Sequence, residues 1–128
     1  MVYLDTSVAL AHLLAEDRAP HREFWNETLI SSRLIEYELW NRIHARKLDK
    51  SHGDAVRALL GRLALIELVS PILVRATEPF PTPVRTLDAL HLASAAFLVG
   101  HGQAVQMASY DADMVKACRA MRIEIYRL

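Results

Sequence analysis

Four acidic residues stand where apolar runs give way to helical patterning, and carboxylates so placed could hold a cation. They are Asp5 in Val-Tyr-Leu-Asp-Thr-Ser, Glu38 in Ile-Glu-Tyr-Glu-Leu-Trp, Asp88 in Thr-Leu-Asp-Ala-Leu-His-Leu-Ala and Asp111 in Ala-Ser-Tyr-Asp-Ala-Asp. They are distant along the chain, but an open α/β sheet collects the carboxyl ends of its strands along one edge, where ligands bind. Four negative charges gathered there would repel one another unless neutralised, and hard oxygen donors suit Mg²⁺ or Mn²⁺.

Each acid also has a plainer role. Asp5 could be a helix N-cap, although Thr6 and Ser7 can cap as well and would leave its carboxylate free. Glu38, amid Leu34, Ile35, Leu39, Trp40 and Ile43, could pair with Arg42 at i+4, worth a few tenths of a kcal/mol. Asp88 falls in a first helical turn, where the helix dipole favours anions. Of Asp111 and Asp113, the former lies nearer its strand and is the better ligand; the latter suits the cap or an outer position. Thr6 and Ser109 offer hydroxyls for a water on the metal or for a phosphate. His91, three residues past Asp88, could donate to the site, but the pattern places it on the helix surface.

The basic residues Arg42, His44, Arg46, Lys47 and Lys50 follow Glu38 on and just after one helix, and Arg85 precedes Asp88. Such runs are usually solvated faces, yet Arg42, Arg46, Lys47 and Arg85 are candidates for tracking a phosphate backbone. Formal charge is zero, with 15 basic and 15 acidic residues. Neutralising four acids would leave 11 against 15 basic residues, most of them arginine, the side chain best suited to bidentate phosphate contacts. Charge thus permits a nucleic acid partner. The six histidines show no zinc spacing with the single cysteine, and no Gly-rich phosphate loop or nucleophile elbow is present.

The elements that must position these residues alternate. Met1–Leu4 reads as a strand, followed by a helix over Val8–Leu14 and a second one opened by Pro20 and carrying Phe24 and Trp25. Thr28–Ser31 suits a short strand; Ser32 would cap a helix in which Ile35, Leu39 and Ile43 repeat at i+4 to near Leu48. A turn at Ser51–Asp54 leads into a helix over Ala55–Leu63, and Leu65–Val69 reads as a third strand. Three prolines within Pro79–Pro83 mark an extended connector near the site. Thr86 would cap a helix over Leu87–Val99 that Gly100-His101-Gly102 stops. Ala104–Ala108 is a fourth strand, Ala112–Met121 a helix and Ile123–Tyr126 a closing strand. This alternation predicts a three-layer α/β/α sandwich around a mostly parallel sheet, as a single domain over residues 1–128. No apolar run approaches the roughly 20 residues of a membrane span, no secretory signal opens the chain, and one cysteine fits a reducing compartment. A cytoplasmic protein is expected. Cys118 reads as a small buried hydrophobe, and Trp25 and Trp40 as core or interface anchors.

The whole chain resembles the PIN-domain family, specifically the VapC-type toxins of toxin–antitoxin pairs. The resemblance rests on Leu4-Asp5-Thr6-Ser7, on Ser32 six residues before Glu38-Leu39, on Leu87-Asp88-Ala89-Leu90-His91-Leu92-Ala93, and on Ser109-Tyr110-Asp111 followed by Met114. In the last string the family more often has Thr and Leu where this chain has Ser109 and Met114. The resemblance implies a metal-dependent endoribonuclease with Asp5 and Asp88 as primary ligands and Glu38 and Asp111 completing the site. It also implies an RNA substrate, a cognate antitoxin that sets a basic side chain in the acidic pocket, and a homodimer for which the apolar first helices would suit. Three alternatives differ in kind: a PIN nuclease of RNA processing, a non-catalytic PIN binding module, and a phosphoacceptor receiver domain. The receiver wants Asp after strand three and Lys after strand five, where this chain has Val69-Ser70 and Tyr126-Arg127.

Overall fold

Side chains alternate across a strand, and β1 (Val2–Leu4) shows the consequence: Val2 and Leu4 enter one apolar core and Tyr3 the other. The computed structural model describes all 128 residues. Leu29 and Ile30 of β2 (Leu29–Ser32) divide between the two cores in the same way, as do Ala108 and Met107 of β4 (Gln106–Ala108). With β3 (Ala64–Ile66) and β5 (Glu124–Ile125) they form one sheet in the order β3-β2-β1-β4-β5, every neighbouring pair parallel. Helices α1 (Thr6–Leu13), α2 (Leu34–Ala45) and α3 (Asp49–Gly61) pack together on one face, and α4 (Ser70–Thr77), α5 (Thr86–Gly100) and α6 (Ala112–Ala120) on the other. This is the expected α/β/α sandwich. No helix is long and apolar enough to cross a membrane.

The strand order decides where a ligand can sit. From β1 the chain proceeds outward through β2 and β3, then returns to place β4 and β5 on the opposite side. The reversal lies between β1 and β4, and in open α/β sheets the crevice forms at the carboxyl ends flanking such a reversal. Asp5 follows β1 there, and Ser109 and Asp111 follow β4. The order also differs from the 2-1-3-4-5 of the receiver fold, which removes that alternative.

Several elements depart from the sequence reading. Pro20 opens no α-helix; a short 3-10 turn, Arg22–Asn26, carries Phe24 and Trp25 instead. α3 begins at Asp49 and runs straight through Gly53, which is buried; a Cβ there would lie 3.7 Å from the Trp40 ring. That is an ordinary van der Waals contact, so the glycine marks neither a turn nor a forced close approach. The third strand ends at Ile66, and Ser70-Pro71 starts α4, with proline in the first turn where its missing N–H costs nothing. Ser32 and Thr86 are not N-caps: Arg33 and Arg85 occupy those positions, and the Ser32 hydroxyl accepts the Leu34 N–H at 3.1 Å from within the strand end. The apolar residues of α1, including Val8, Ala9, Ala11 and Leu13, are buried in this chain's own core. Exposed large apolar side chains are Met1, Tyr37, Val69, Leu73, Val74, Leu87 and Val99, of which Val69, Leu73 and Val74 cluster at and just before α4.

Candidate active site

Asp5 occupies the extended N-cap position of α1, yet its carboxylate caps nothing. Its Oδ2 accepts the hydroxyls of Ser7 at 2.6 Å and Ser109 at 2.7 Å. The same two hydroxyl oxygens accept the backbone N–H groups of Tyr110 and Asp111, each at 3.0 Å. The ends of β1 and β4 are thereby laced together across the strand reversal. Asp5 itself is 4% exposed.

Asp111 is the N-cap of α6: its Oδ1 accepts the N–H groups of Asp113 at 2.9 Å and Met114 at 3.4 Å. The cap is thus Asp111 and not Asp113, which is exposed and points no hydrogen bond into the site. Glu38, on the second turn of α2, directs Oε1 to the Thr6 hydroxyl at 2.9 Å and to His91 Nε2 at 2.5 Å. His91 is 1% exposed, so its surface placement from the sequence is wrong. The reason is that α5 is buried on nearly every side, with Ala89 and His91–Ala95 all inaccessible, so periodicity offers no polar face to compare. The other ring nitrogen, Nδ1, meets the Tyr3 hydroxyl at 2.8 Å, and that oxygen accepts the Ser32 N–H at 3.2 Å. Burial holds the Tyr3 phenol protonated far above its ordinary range.

Asp88, in the first turn of α5, is partly exposed and has no hydrogen bond to steady it. Its pKa rises from 3.8 to about 6, first through burial and then through the charges of Asp111 and Asp5, with Glu38 adding a smaller push. Four carboxylates therefore share one electrostatic neighbourhood. Glu38, Arg42, Arg85, Thr86, Leu87, Asp88 and Asp111 line a cleft of about 460 Å³, with Asp5 buried outside that lining. Arg46 and Lys47 are exposed at the far end of α2 and do not line it.

The donor set suits a hard divalent cation. Asp5, Glu38 and Asp111 each commit a single oxygen to protein donors, which leaves Oδ1, Oε2 and Oδ2 respectively free, and both Asp88 oxygens are free. No three of these side chains yet stand as a closed chelating group. Asp88 is the acid that no hydrogen bond holds.

Parallel strands in this order, a crevice at the reversal and acids on its rim agree with the comparison of the sequence with known families: residues 2–120 match the PIN domain. The chain belongs to the PIN-domain family. This PIN domain is also 29% identical over 126 residues to "Ribonuclease VapC47" of Mycobacterium tuberculosis (strain CDC 1551 / Oshkosh), covering 93% of this chain and 90% of that protein.

Proposed function

We propose that this PIN domain is a metal-dependent endoribonuclease, the cytoplasmic toxin of a toxin–antitoxin pair. One observation carries the reading: Glu38, Asp88 and Asp111 line one cleft with Arg42 and Arg85, Asp5 lies buried within electrostatic reach of Asp88, and each acid keeps a free oxygen. The ribonuclease relative, matched over nearly its whole length, supports RNA as the substrate. Asp5 and Asp88 would hold Mg²⁺ or Mn²⁺, with Glu38 and Asp111 completing the set directly or through water. The ion would supply a nucleophilic water at neutral pH and neutralise charge building on the phosphodiester.

The chain's own residues do the rest. Ser7 and Ser109 fix the Asp5 carboxylate, Thr6 and His91 fix Glu38, and the α6 N-terminus fixes Asp111. Arg42 and Arg85 bind flanking phosphates, Arg85 from the exposed end of the proline-rich connector. An apolar groove of about 460 Å³, lined by residues including Leu73, Phe80, Val84 and Leu90, adjoins the acidic cleft at Thr86. A cognate antitoxin with an apolar segment in this groove would reach the acids with a basic side chain. A homodimer would use the exposed apolar residues of α4.

The test is cleavage of an end-labelled structured RNA by purified protein with Mn²⁺, alongside Asp5→Asn of unchanged circular dichroism. Losing the ion's contribution should slow cleavage on the order of a hundredfold or more. Cleavage by Asp5→Asn at the wild-type rate would refute the reading. Growth arrest on induction, relieved by Asp5→Asn or by the product of the adjacent upstream gene, separates a toxin from an RNA-processing nuclease.

A further inference from the structure

His91 is too deeply buried to touch substrate, yet both of its ring nitrogens are engaged. On the Glu38 side the direction of the bond is settled by chemistry: a carboxylate oxygen only accepts, so Nε2 must carry hydrogen and donate. This holds whether or not the ring is charged. On the other side, Tyr3 is buried, and its hydroxyl is braced by the Ser32 N–H at the end of β2. One imidazole thus joins β1, β2, α2 and α5, with the Thr6 hydroxyl of α1 at 3.3 Å from Nε2 and bonded to the same carboxylate oxygen.

We propose that His91 is a positioning residue for Glu38: braced by Tyr3, it clamps Oε1 and leaves Oε2 as the oxygen presented to a cation in the cleft. The inference rests on the metal-dependent reading given above. A glutamate has three side-chain torsions to immobilise, and freezing them before the ion arrives removes that entropic cost from binding. The same arrangement recurs at the neighbouring acids, where one oxygen is tied and the other left open, by Ser7 and Ser109 for Asp5 and by backbone N–H groups for Asp111. Filling a gap in the core needs no histidine. An aliphatic side chain would occupy the space between Tyr3 and α2 but would strip a donor from a carboxylate that is only 17% exposed.

The experiment compares Mn²⁺ binding, by titration calorimetry, to wild-type protein, His91→Asn and His91→Gln. Asparagine places its amide near the Nδ1 position, facing Tyr3, and withdraws the donor from Glu38. Glutamine reaches the Nε2 position and restores that donor. The expected result is a loss of about 10- to 100-fold in Mn²⁺ affinity for His91→Asn, the scale seen when a partner behind a metal ligand is removed. His91→Gln should recover most of it. Equal affinity of folded His91→Asn and wild type overturns the role given to His91. Absence of Mn²⁺ binding by the wild type itself overturns instead the metal-dependent reading. Should His91→Asn fail to fold, nitrogen-15 spectra of wild-type protein decide the matter. His91 Nε2 should carry a slowly exchanging hydrogen whose resonance moves on addition of Mg²⁺; a bare Nε2, or a resonance that Mg²⁺ leaves unmoved, overturns the assignment.

Discussion

Replacing Asp88 by asparagine should stabilise this protein when metal is withheld and weaken it when metal is supplied. The carboxyl pKa lies at about 6 in the folded chain against an ordinary 3.8, raised first by burial and then by Asp111 and Asp5. That rise is a net outcome, because the His91 imidazole acts in the opposite direction. Below about pH 4 both folded and unfolded states hold the proton, and nothing is lost. Between about pH 4 and 6 the unfolded chain releases it while the folded chain keeps it, so wild-type stability falls; above pH 6 the penalty is constant. At 1.36 kcal/mol per pKa unit the ceiling is about 3 kcal/mol, and solvent screening of this partly exposed group reduces it to on the order of 1 kcal/mol. Asp88→Asn removes the penalty. Thermal melts in EDTA should show the variant ahead by about 3–5 °C at pH 7 and level with wild type near pH 4. Mn²⁺ at a hundred times its dissociation constant should then add about 2.7 kcal/mol to wild type and far less to the variant, reversing the order. A variant less stable than wild type in EDTA at pH 7, or an order unchanged by Mn²⁺, would refute the reasoning.

Arg85→Ala should weaken RNA binding and lower the slope of log affinity against log salt by about 0.7, the value for one phosphate contact on a single strand, while Mn²⁺ affinity stays put; fluorescence anisotropy across a salt series measures it. Tyr3→Phe strands the buried Ser32 N–H and should cost about 1–3 kcal/mol in urea unfolding, with an unchanged midpoint refuting the network. The Cys118 thiol, fully buried and pushed up to about 12 chiefly by that burial, should ignore a disulfide reagent in native protein and react once urea unfolds the chain.

Strand and helix alternation was legible because the period of the apolar residues changes from element to element: Ile35, Leu39 and Ile43 announce α2, and all three are fully buried. Glycine and proline misled where tertiary contact overrules local preference. Gly53 reads as a turn but lies inside α3 against Trp40, and Leu65–Val69 reads as a strand although the Ser70-Pro71 that follows it is a helix start. The expectation that the four acids converge followed from one rule about parallel sheets. The clamp by His91 did not, because it depends on Tyr3 pointing through the sheet to α5, 88 residues onward. Nothing local distinguishes a histidine in the buried middle of an apolar helix from one on a solvated helix unless the helix's neighbours are known.

The asymmetry among the four acids is the part of the design with most consequence. Three are tethered through one oxygen each, by hydroxyls, by an imidazole or by a helix N-terminus; Asp88 is tethered by nothing and carries the raised pKa. A site with all four pinned in contact would concentrate the repulsion that already pushes Asp88 upward, and the fold would bear that cost in every molecule without an ion. Leaving one acid untethered at the rim leaves its carboxylate free to meet a cation without breaking a protein hydrogen bond. The tethers set where the ion would go, and the free acid makes the arrangement tolerable until it does. On this argument, adding a hydrogen-bond donor to Asp88 should draw its raised pKa back toward 3.8 and stabilise the metal-free protein at pH 7 but not at pH 4, and a donor that left the pH 7 melting temperature in EDTA unchanged would show that the uncompensated Asp88 charge is not what the metal-free fold bears.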